Sequence, residues 1–100
     1  MTTIKLRLYV SGKTMRTERT IANLHRILDD EADAEYELDV CDVLEAPQTA
    51  EKDKVLATPT LMLISPPPAR RIVGDLADTA RVLQYLGIAT RGDAQEKNDA

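Results

Sequence analysis

The chain has 100 residues, a formal net charge of −4 and an isoelectric point near 4.9. This length is enough for one domain with a single modest core. The acidic balance argues against nucleic acid or an anionic membrane surface as the main partner. No segment approaches the ~20 consecutive apolar residues of a membrane-spanning helix, so no membrane association is expected. The aromatic residues are three tyrosines, with no phenylalanine or tryptophan, so the predicted core is aliphatic.

The first part of the chain predicts a β-α-β unit. Ile4–Val10 alternates apolar and polar residues, which is typical of a strand with one buried face. Residues 15–31 predict a helix because their apolar residues share one stripe, and either Thr14 or Thr17 can cap it. Tyr36–Cys41 alternates again and predicts a second strand. A right-handed crossover makes these two strands parallel neighbours.

The middle of the chain predicts a hairpin with a stiff connection. The apolar run Leu61–Ile64 suits a strand that is buried on both faces. A second short strand is predicted at Ile72–Val73, and Gly74 ends it. Three prolines end the first strand, because they cannot donate backbone hydrogen bonds and fix φ: Pro66, Pro67 and Pro68.

Two further helices complete the predicted order. Pro47 suits a first helical position, with a short helix over residues 48–54. Asp78 is the predicted cap of a closing helix that Gly87 ends. The expected fold class is therefore α/β, a single thioredoxin-like β-α-β-α-β-β-α domain over residues 1–89 with a mixed four-stranded sheet. Residues 90–100 are polar and predict a disordered tail.

The sequence offers little for catalysis. A thioredoxin-like redox site needs two thiols after the first strand, but the loop there has none, and Cys41 is the only cysteine of the chain. We expect Cys41 to be a buried or half-buried structural residue, because nothing basic is placed to activate it. The lone His25 is expected on an exposed helix face, and no metal or cofactor motif appears. One cysteine and no signal peptide fit a reducing cytoplasm.

Two charged clusters remain open to interpretation. Residues 51–54, Glu-Lys-Asp-Lys, predict a solvated helix face. Arg70 and Arg71 precede the last apolar pair. They either protect an edge strand against aggregation or contact an acidic partner surface.

Four segments together resemble the KaiB family of the cyanobacterial clock and its bacterial relatives. They are Leu8–Gly12 (Leu-Tyr-Val-Ser-Gly), Asp42–Gln48, Leu56–Leu61 (Leu-Ala-Thr-Pro-Thr-Leu) and Pro66–Leu76 (Pro-Pro-Pro-Ala-Arg-Arg-Ile-Val-Gly-Asp-Leu). The resemblance covers residues 4–86. It implies a thioredoxin-like monomer in which Pro59 is a candidate cis proline, or alternatively the family's tetramer fold with the order β-α-β-β-α-α-β.

The resemblance also implies a function. KaiB-like proteins have no catalytic activity and bind the ring of a KaiC ATPase, with KaiA-like and sensor-kinase proteins as further partners and a dimer or tetramer as a possible homo-oligomer. The residues expected by resemblance to bind a partner are Glu37, Asp39, Lys54, Arg70 and Arg71. The residues expected to have structural roles are Pro59, Pro66, Pro67, Pro68, Gly74 and Tyr85. The alternatives are a paralogue with a changed partner in stress signalling and, remotely, a thioredoxin-like oxidoreductase.

Three departures from the family pattern bear on these expectations. Glu37-Leu38-Asp39 stands where the family has Ala-Leu-Lys, on the strand that the resemblance places at the partner-binding edge. Met62-Leu63 replaces Ala-Lys, and Tyr85-Leu86-Gly87 replaces Gly-Leu-Asp. The last change moves a glycine from the interior of the closing helix to its end, where it costs less helix stability. The last two changes favour the thioredoxin-like arrangement over the tetramer fold.

Overall fold

The computed structural model describes residues 3–32 and 34–87. The elements that the sequence predicts are present in the predicted order. Within the described residues the elements are β1 (Thr3–Val10), α1 (Met15–Asp30), β2 (Glu35–Asp42), α2 (Pro47–Lys52), β3 (Thr60–Ser65), β4 (Arg70–Val73) and α3 (Thr79–Leu86). The expected polar tail, residues 90–100, lies outside the described part of the chain.

The strands form one mixed sheet in the order β2-β1-β3-β4. β1 pairs with β2 in parallel, and both the β1–β3 and β3–β4 pairs are antiparallel. This topology confirms the predicted β-α-β-α-β-β-α domain, and the structure does not have the alternative order of the tetramer fold. β2 and β4 are the two edges of the sheet, so each has one strand neighbour among the described residues.

The core lies on one face of this sheet, between the strands and the helices α1 and α3. The register places Leu6 between Leu38 of β2 and Leu63 of β3, so alternate residues of each strand point to the same face. α1 contributes Leu24, Ile27 and Leu28, and α3 contributes Val82, Leu83 and Leu86. The core cluster is aliphatic, as the composition predicts.

The ends of the two longer helices follow local rules. Thr14 caps α1 and accepts a hydrogen bond of 3.1 Å from the backbone N–H of Thr17. The Thr17 hydroxyl donates instead to the carbonyl of Gly12, which resolves the choice of cap that the sequence left open. α3 is capped by Asp78, and Gly87 ends it in the left-handed region with φ 67°.

Two boundaries differ from the prediction. α1 ends at Asp30, one residue before its predicted end, and Ala32 in the turn that follows is buried in the core cluster. α2 ends at Lys52 rather than at residue 54. Lys54 adopts φ 56°, and the N–H of Val55 donates to the carbonyl of Ala50 while the N–H of Lys54 donates to that of Glu51. This pair of bonds is a Schellman closure, which ends a helix within one turn.

The β3–β4 connection contains the triple proline. The Thr58–Pro59 bond before β3 is cis, as expected for Pro59. The Ser65–Pro66 and Pro67–Pro68 bonds are also cis, which the sequence did not indicate. β3 ends at Ser65, immediately before the first proline, and β4 ends at Val73 before Gly74, whose φ of 132° favours glycine.

Candidate protein-binding surface

The sheet face opposite α1 and α3, here called the open face, carries mostly polar side chains. The pairing register places Arg7 of β1 between Asp39 of β2 and Met62 of β3, with Arg71 of β4 beyond Met62. The next row toward the end of β1 contains Tyr9, Cys41, Thr60 and Val73. The short helix α2 packs over part of this face through Thr49 and the residue that follows the helix, Asp53.

Asp53 is the centre of a polar cluster on the open face. The Tyr9 hydroxyl donates to Asp53 Oδ2, and Arg7 Nη1 lies 3.2 Å from the same oxygen. Arg7 Nε lies 3.1 Å from Asp39 Oδ2, so Arg7 joins two carboxylates. Tyr9 is fully buried, while the Asp53 side chain is 23% exposed. The cluster therefore connects both neighbouring segments, β2 and the end of α2, to the central strand β1.

The cluster changes the proton affinity of its members. Burial raises the pKa of Tyr9, and its hydrogen bond to Asp53 raises it further. The Tyr9 hydroxyl lowers the pKa of Asp53, and Arg7 lowers it in addition. Asp53 therefore remains a carboxylate near neutral pH and can hold Arg7 and Tyr9 together.

The expectation that residues 51–54 form only a solvated face is wrong for Asp53. Its carboxylate is partly buried and bonded to two residues of β1. The sequence held one signal for this contact. Tyr9 stands on the polar side of a strand whose other side is core, and a buried tyrosine hydroxyl needs a hydrogen-bond partner.

Arg70 and Arg71 point to opposite faces of β4 and reach the ends of two different helices. Arg71 Nη2 donates to the Asp53 carbonyl at 2.8 Å, and its Nη1 donates to the Lys54 carbonyl at 3.1 Å. Arg70 Nη1 donates to the Tyr85 carbonyl of α3 at 3.4 Å. A cation at a helix C-terminus compensates exposed carbonyl groups. Both arginines thus have a structural role that the sequence did not indicate, and both remain exposed to a partner.

The predicted partner-binding residues fall into two groups. Glu37 and Asp39 are exposed on the edge strand β2, opposite Lys5 and Arg7 in the register. Lys54, Arg70 and Arg71 lie together at the other edge, around β4. A continuous series of contacts joins the two groups. Ion pairs link Asp39 to Arg7 and Arg7 to Asp53, and Arg71 donates a hydrogen bond to the Asp53 carbonyl. The structure therefore has an acidic edge and a basic edge joined by one polar network.

Cys41 lies on the open face beside Tyr9 and is half-buried, as predicted. Burial raises the pKa of its thiol, and the neighbouring Asp39 raises it further. The thiolate form, which is the nucleophile, is disfavoured by this environment. In residues 3–32 and 34–87, no group of three or more His, Cys, Asp and Glu side chains is arranged to hold a metal ion.

His25 is exposed on α1, as predicted, and has a polar partner that the sequence did not indicate. Its Nδ1 lies 3.0 Å from the hydroxyl of Tyr36, and that hydroxyl donates to Asp29 at 2.8 Å. Burial and the Asp29 carboxylate raise the pKa of Tyr36 to about 12. These contacts tie the end of α1 to the start of β2. Of the described helices, none is long and apolar enough to cross a membrane.

Comparison with known proteins identifies the relatives of this chain. The family model described as the KaiB domain matches residues 7–88. The chain belongs to the KaiB family. It is 54% identical over 83 residues to the circadian clock oscillator protein KaiB of Prochlorococcus marinus, a match that covers 83% of this chain and 73% of the relative. It is 44% identical over 92 residues to the circadian clock protein KaiB3 of Synechocystis sp., covering 92% of this chain and 90% of the relative.

Solved structures confirm the thioredoxin-like fold. The N-terminal domain of SasA from Synechococcus elongatus superposes with a TM-score of 0.71 at 26% identity, covering 87% of this chain and 86% of that domain. Mitochondrial thioredoxin 3 from Saccharomyces cerevisiae superposes with a TM-score of 0.66 at 18% identity, covering 84% of this chain and 76% of thioredoxin. The fold shared with thioredoxin carries no inference about redox chemistry, since Cys41 is the only cysteine of this KaiB-family chain.

Proposed function

We propose that this KaiB-family protein is a non-catalytic, cytoplasmic clock or signalling protein that binds the ring of a KaiC-type ATPase. The observation that carries the proposal is its 54% identity to a circadian clock oscillator protein KaiB. The basic edge of Lys54, Arg70 and Arg71 supplies the docking surface, because these exposed cations suit an acidic partner surface. The likeness to the SasA N-terminal domain supports a sensor-kinase protein as a competitor for the same ring, with a KaiA-like protein as a further partner.

The second candidate is a paralogue with a changed partner, acting in stress signalling. Glu37 and Asp39 favour it, because they make the β2 edge acidic where the family pattern has a lysine. An oxidoreductase is disfavoured, since the single Cys41 has a raised pKa and no second thiol exists in the chain.

The test is binding to each KaiC-type ATPase of the same organism, measured by biolayer interferometry with ATP present. Replacing Arg70 and Arg71 together by Glu is expected to weaken binding at least tenfold at low salt, with the larger effect on the association rate. The matched control replaces two exposed arginines of α1, Arg16→Glu and Arg19→Glu. This control makes the same change in net charge away from β4 and is expected to bind within a few-fold of wild type.

A second pair separates partner contact from helix capping. Arg70→Lys with Arg71→Lys keeps both charges but loses the planar guanidinium groups that reach the helix carbonyls. It is expected to keep most of the affinity. Equal affinities of the Glu pair and the α1 control would assign the arginines to edge protection and capping alone. Absence of ring binding by the wild-type protein would overturn the proposed function and favour the paralogue.

A further inference from the structure

A cleft of about 500 Å³ lies between β4 and α3, at the basic edge of the sheet. It is lined by three arginines, a glutamine and a tyrosine: Arg70, Arg71, Arg81, Gln84 and Tyr85. Tyr85 is 49% exposed, whereas Tyr9 is fully buried and Tyr36 is half-buried. Arginine and tyrosine are the residue types most enriched at the energetic centres of protein interfaces. The composition of the cleft is therefore that of a docking site.

Among the described residues, no salt bridge involves the arginines of this cleft. The salt bridges of residues 3–32 and 34–87 both involve Arg7, on the open face. Arg70 and Arg71 donate to backbone carbonyls, which accept hydrogen bonds without carrying a full charge. Asp78, three residues before Arg81, accepts from the Arg81 backbone N–H as the cap of α3. Three cationic residues thus line this cleft on a protein whose net charge is −4.

The position of the cleft at an edge of the sheet indicates the form of its occupant. β4 is an edge of the sheet, with β3 as its strand neighbour among the described residues. An extended segment can lie along such an edge and pair with its backbone. Side chains that project from that segment toward α3 would meet Arg81 and Tyr85. Carboxylates match the guanidinium groups, because arginine and carboxylate form paired, charge-assisted hydrogen bonds.

We propose that the β4–α3 cleft binds an extended acidic segment of the partner protein, with Arg81 and Tyr85 as contacts in addition to Arg70 and Arg71. This inference rests on the proposed function, because Arg70 and Arg71 belong both to the proposed docking surface for the ring and to the β4–α3 cleft. It extends the docking surface from the strand onto α3 and names the chemistry of the partner segment.

The first test measures binding of a fluorescein-labelled peptide of four alternating Glu-Val pairs by fluorescence anisotropy at low salt. The matched peptide of four Lys-Val pairs controls for apolar and strand-forming character. We expect the acidic peptide to bind, the basic peptide not to bind, and Arg81→Glu to weaken acidic-peptide binding at least tenfold. Arg81 is chosen because its side chain makes no hydrogen bond within the described residues, so the fold does not depend on it. Arg19→Glu, on exposed α1, is the control of equal charge and is expected to retain binding.

The second test repeats the ring-binding measurement with Arg81→Glu and Tyr85→Ala. Each is expected to weaken ring binding, while the circular dichroism spectrum stays that of the wild type. No binding of the acidic peptide, or equal binding by Arg81→Glu and Arg19→Glu, overturns the inference. Normal ring binding by both α3 variants also overturns it and leaves the proposed function standing. Arg81-dependent peptide binding by a protein that binds no KaiC-type ring supports the cleft and overturns the proposed function.

Discussion

Replacing Tyr9 by Phe is expected to destabilise the protein through the open-face cluster. Tyr9 is fully buried, and its hydroxyl donates to Asp53 Oδ2 and lies 3.4 Å from the Thr49 carbonyl. The substitution removes only this hydroxyl, so the packing of the ring against β1 and its neighbours is retained. Asp53 keeps Arg7 as a partner but loses its buried donor. The change therefore isolates the bond that ties the end of α2 to the sheet.

The expected cost follows from the charge of the acceptor. A hydrogen bond to an ionised group contributes about 1.5–3 kcal/mol, against about 1 kcal/mol for a neutral pair. We therefore expect the free energy of unfolding to fall by about 1.5–3 kcal/mol at neutral pH. Tyr36→Phe is the matched control, because it removes a hydroxyl that donates to a carboxylate, Asp29, at an exposed site. Water can replace that bond, so its expected cost is below about 1 kcal/mol.

The assay is urea denaturation followed by circular dichroism over a range of pH. The folded-state pKa of Asp53 lies below its ordinary value of 3.8, chiefly because Tyr9 donates to the carboxylate. A group with a lowered folded-state pKa stabilises the fold above its unfolded-state pKa, and this contribution is lost as the pH falls through the folded-state value. Tyr9→Phe raises that folded-state pKa toward 3.8. The difference between wild type and variant should be constant near neutral pH and shrink below about pH 4.

Two results would contradict this reasoning. A cost for Tyr9→Phe no larger than that for Tyr36→Phe would show that the buried bond contributes no more than an exposed one. A difference that persists unchanged at pH values below the folded-state pKa of Asp53 would show that the charge of this carboxylate is not the source of the stability.

Three further predictions concern single sites. Cys41→Ala should leave partner affinity within a few-fold, because no second thiol exists; insulin-disulfide reduction by the wild type that this variant loses would contradict the reasoning. Lys54→Gly should raise the free energy of unfolding by about 1 kcal/mol in the same urea titration, because Lys54 has φ 56°, a left-handed conformation that strains residues with a Cβ atom. Lys54→Ala keeps that strain and should show no such gain. Tyr85→Gly with Gly87→Asp should destabilise α3 by about 2 kcal/mol and shift the chain toward the tetramer order, since each change costs about 1 kcal/mol. Unchanged helical chemical shifts for residues 79–86 would refute the last prediction.

The order of elements was predictable because its signals are local. Alternation in β1 and the apolar stripe of α1 each lie within one segment, and the caps Asp78 and Gly87 lie beside the helix they bound. The cis peptide bond at Pro59 was predicted from the resemblance to KaiB, because composition and periodicity do not indicate it. Exact boundaries were less predictable, since α2 is ended by backbone hydrogen bonds around Lys54 that no residue type in this segment indicates.

The candidate site was predictable only as a set of residues. The sequence placed charged side chains at residues 37, 39, 54, 70 and 71, and charge alone does not tell which of them are near one another. The strand order separates Glu37 and Asp39 from the arginines by the width of the sheet. The position of α3 beside β4 brings Arg81 to the cleft that Arg70 and Arg71 also line, a juxtaposition that no spacing in the chain suggests.

By itself, the sequence determined the succession of strands and helices, the aliphatic core and the absence of a dithiol, because periodicity, composition and the cysteine count are properties of short segments or of the whole chain. The tertiary structure alone decided that Asp53 joins Arg7 and Tyr9, and that Arg71 donates to the end of α2. Arg7 and Asp53 are 46 residues apart in the chain. They meet because α2 folds back over the open face of β1, and the attraction between two charges depends on their distance in space rather than on their separation in sequence.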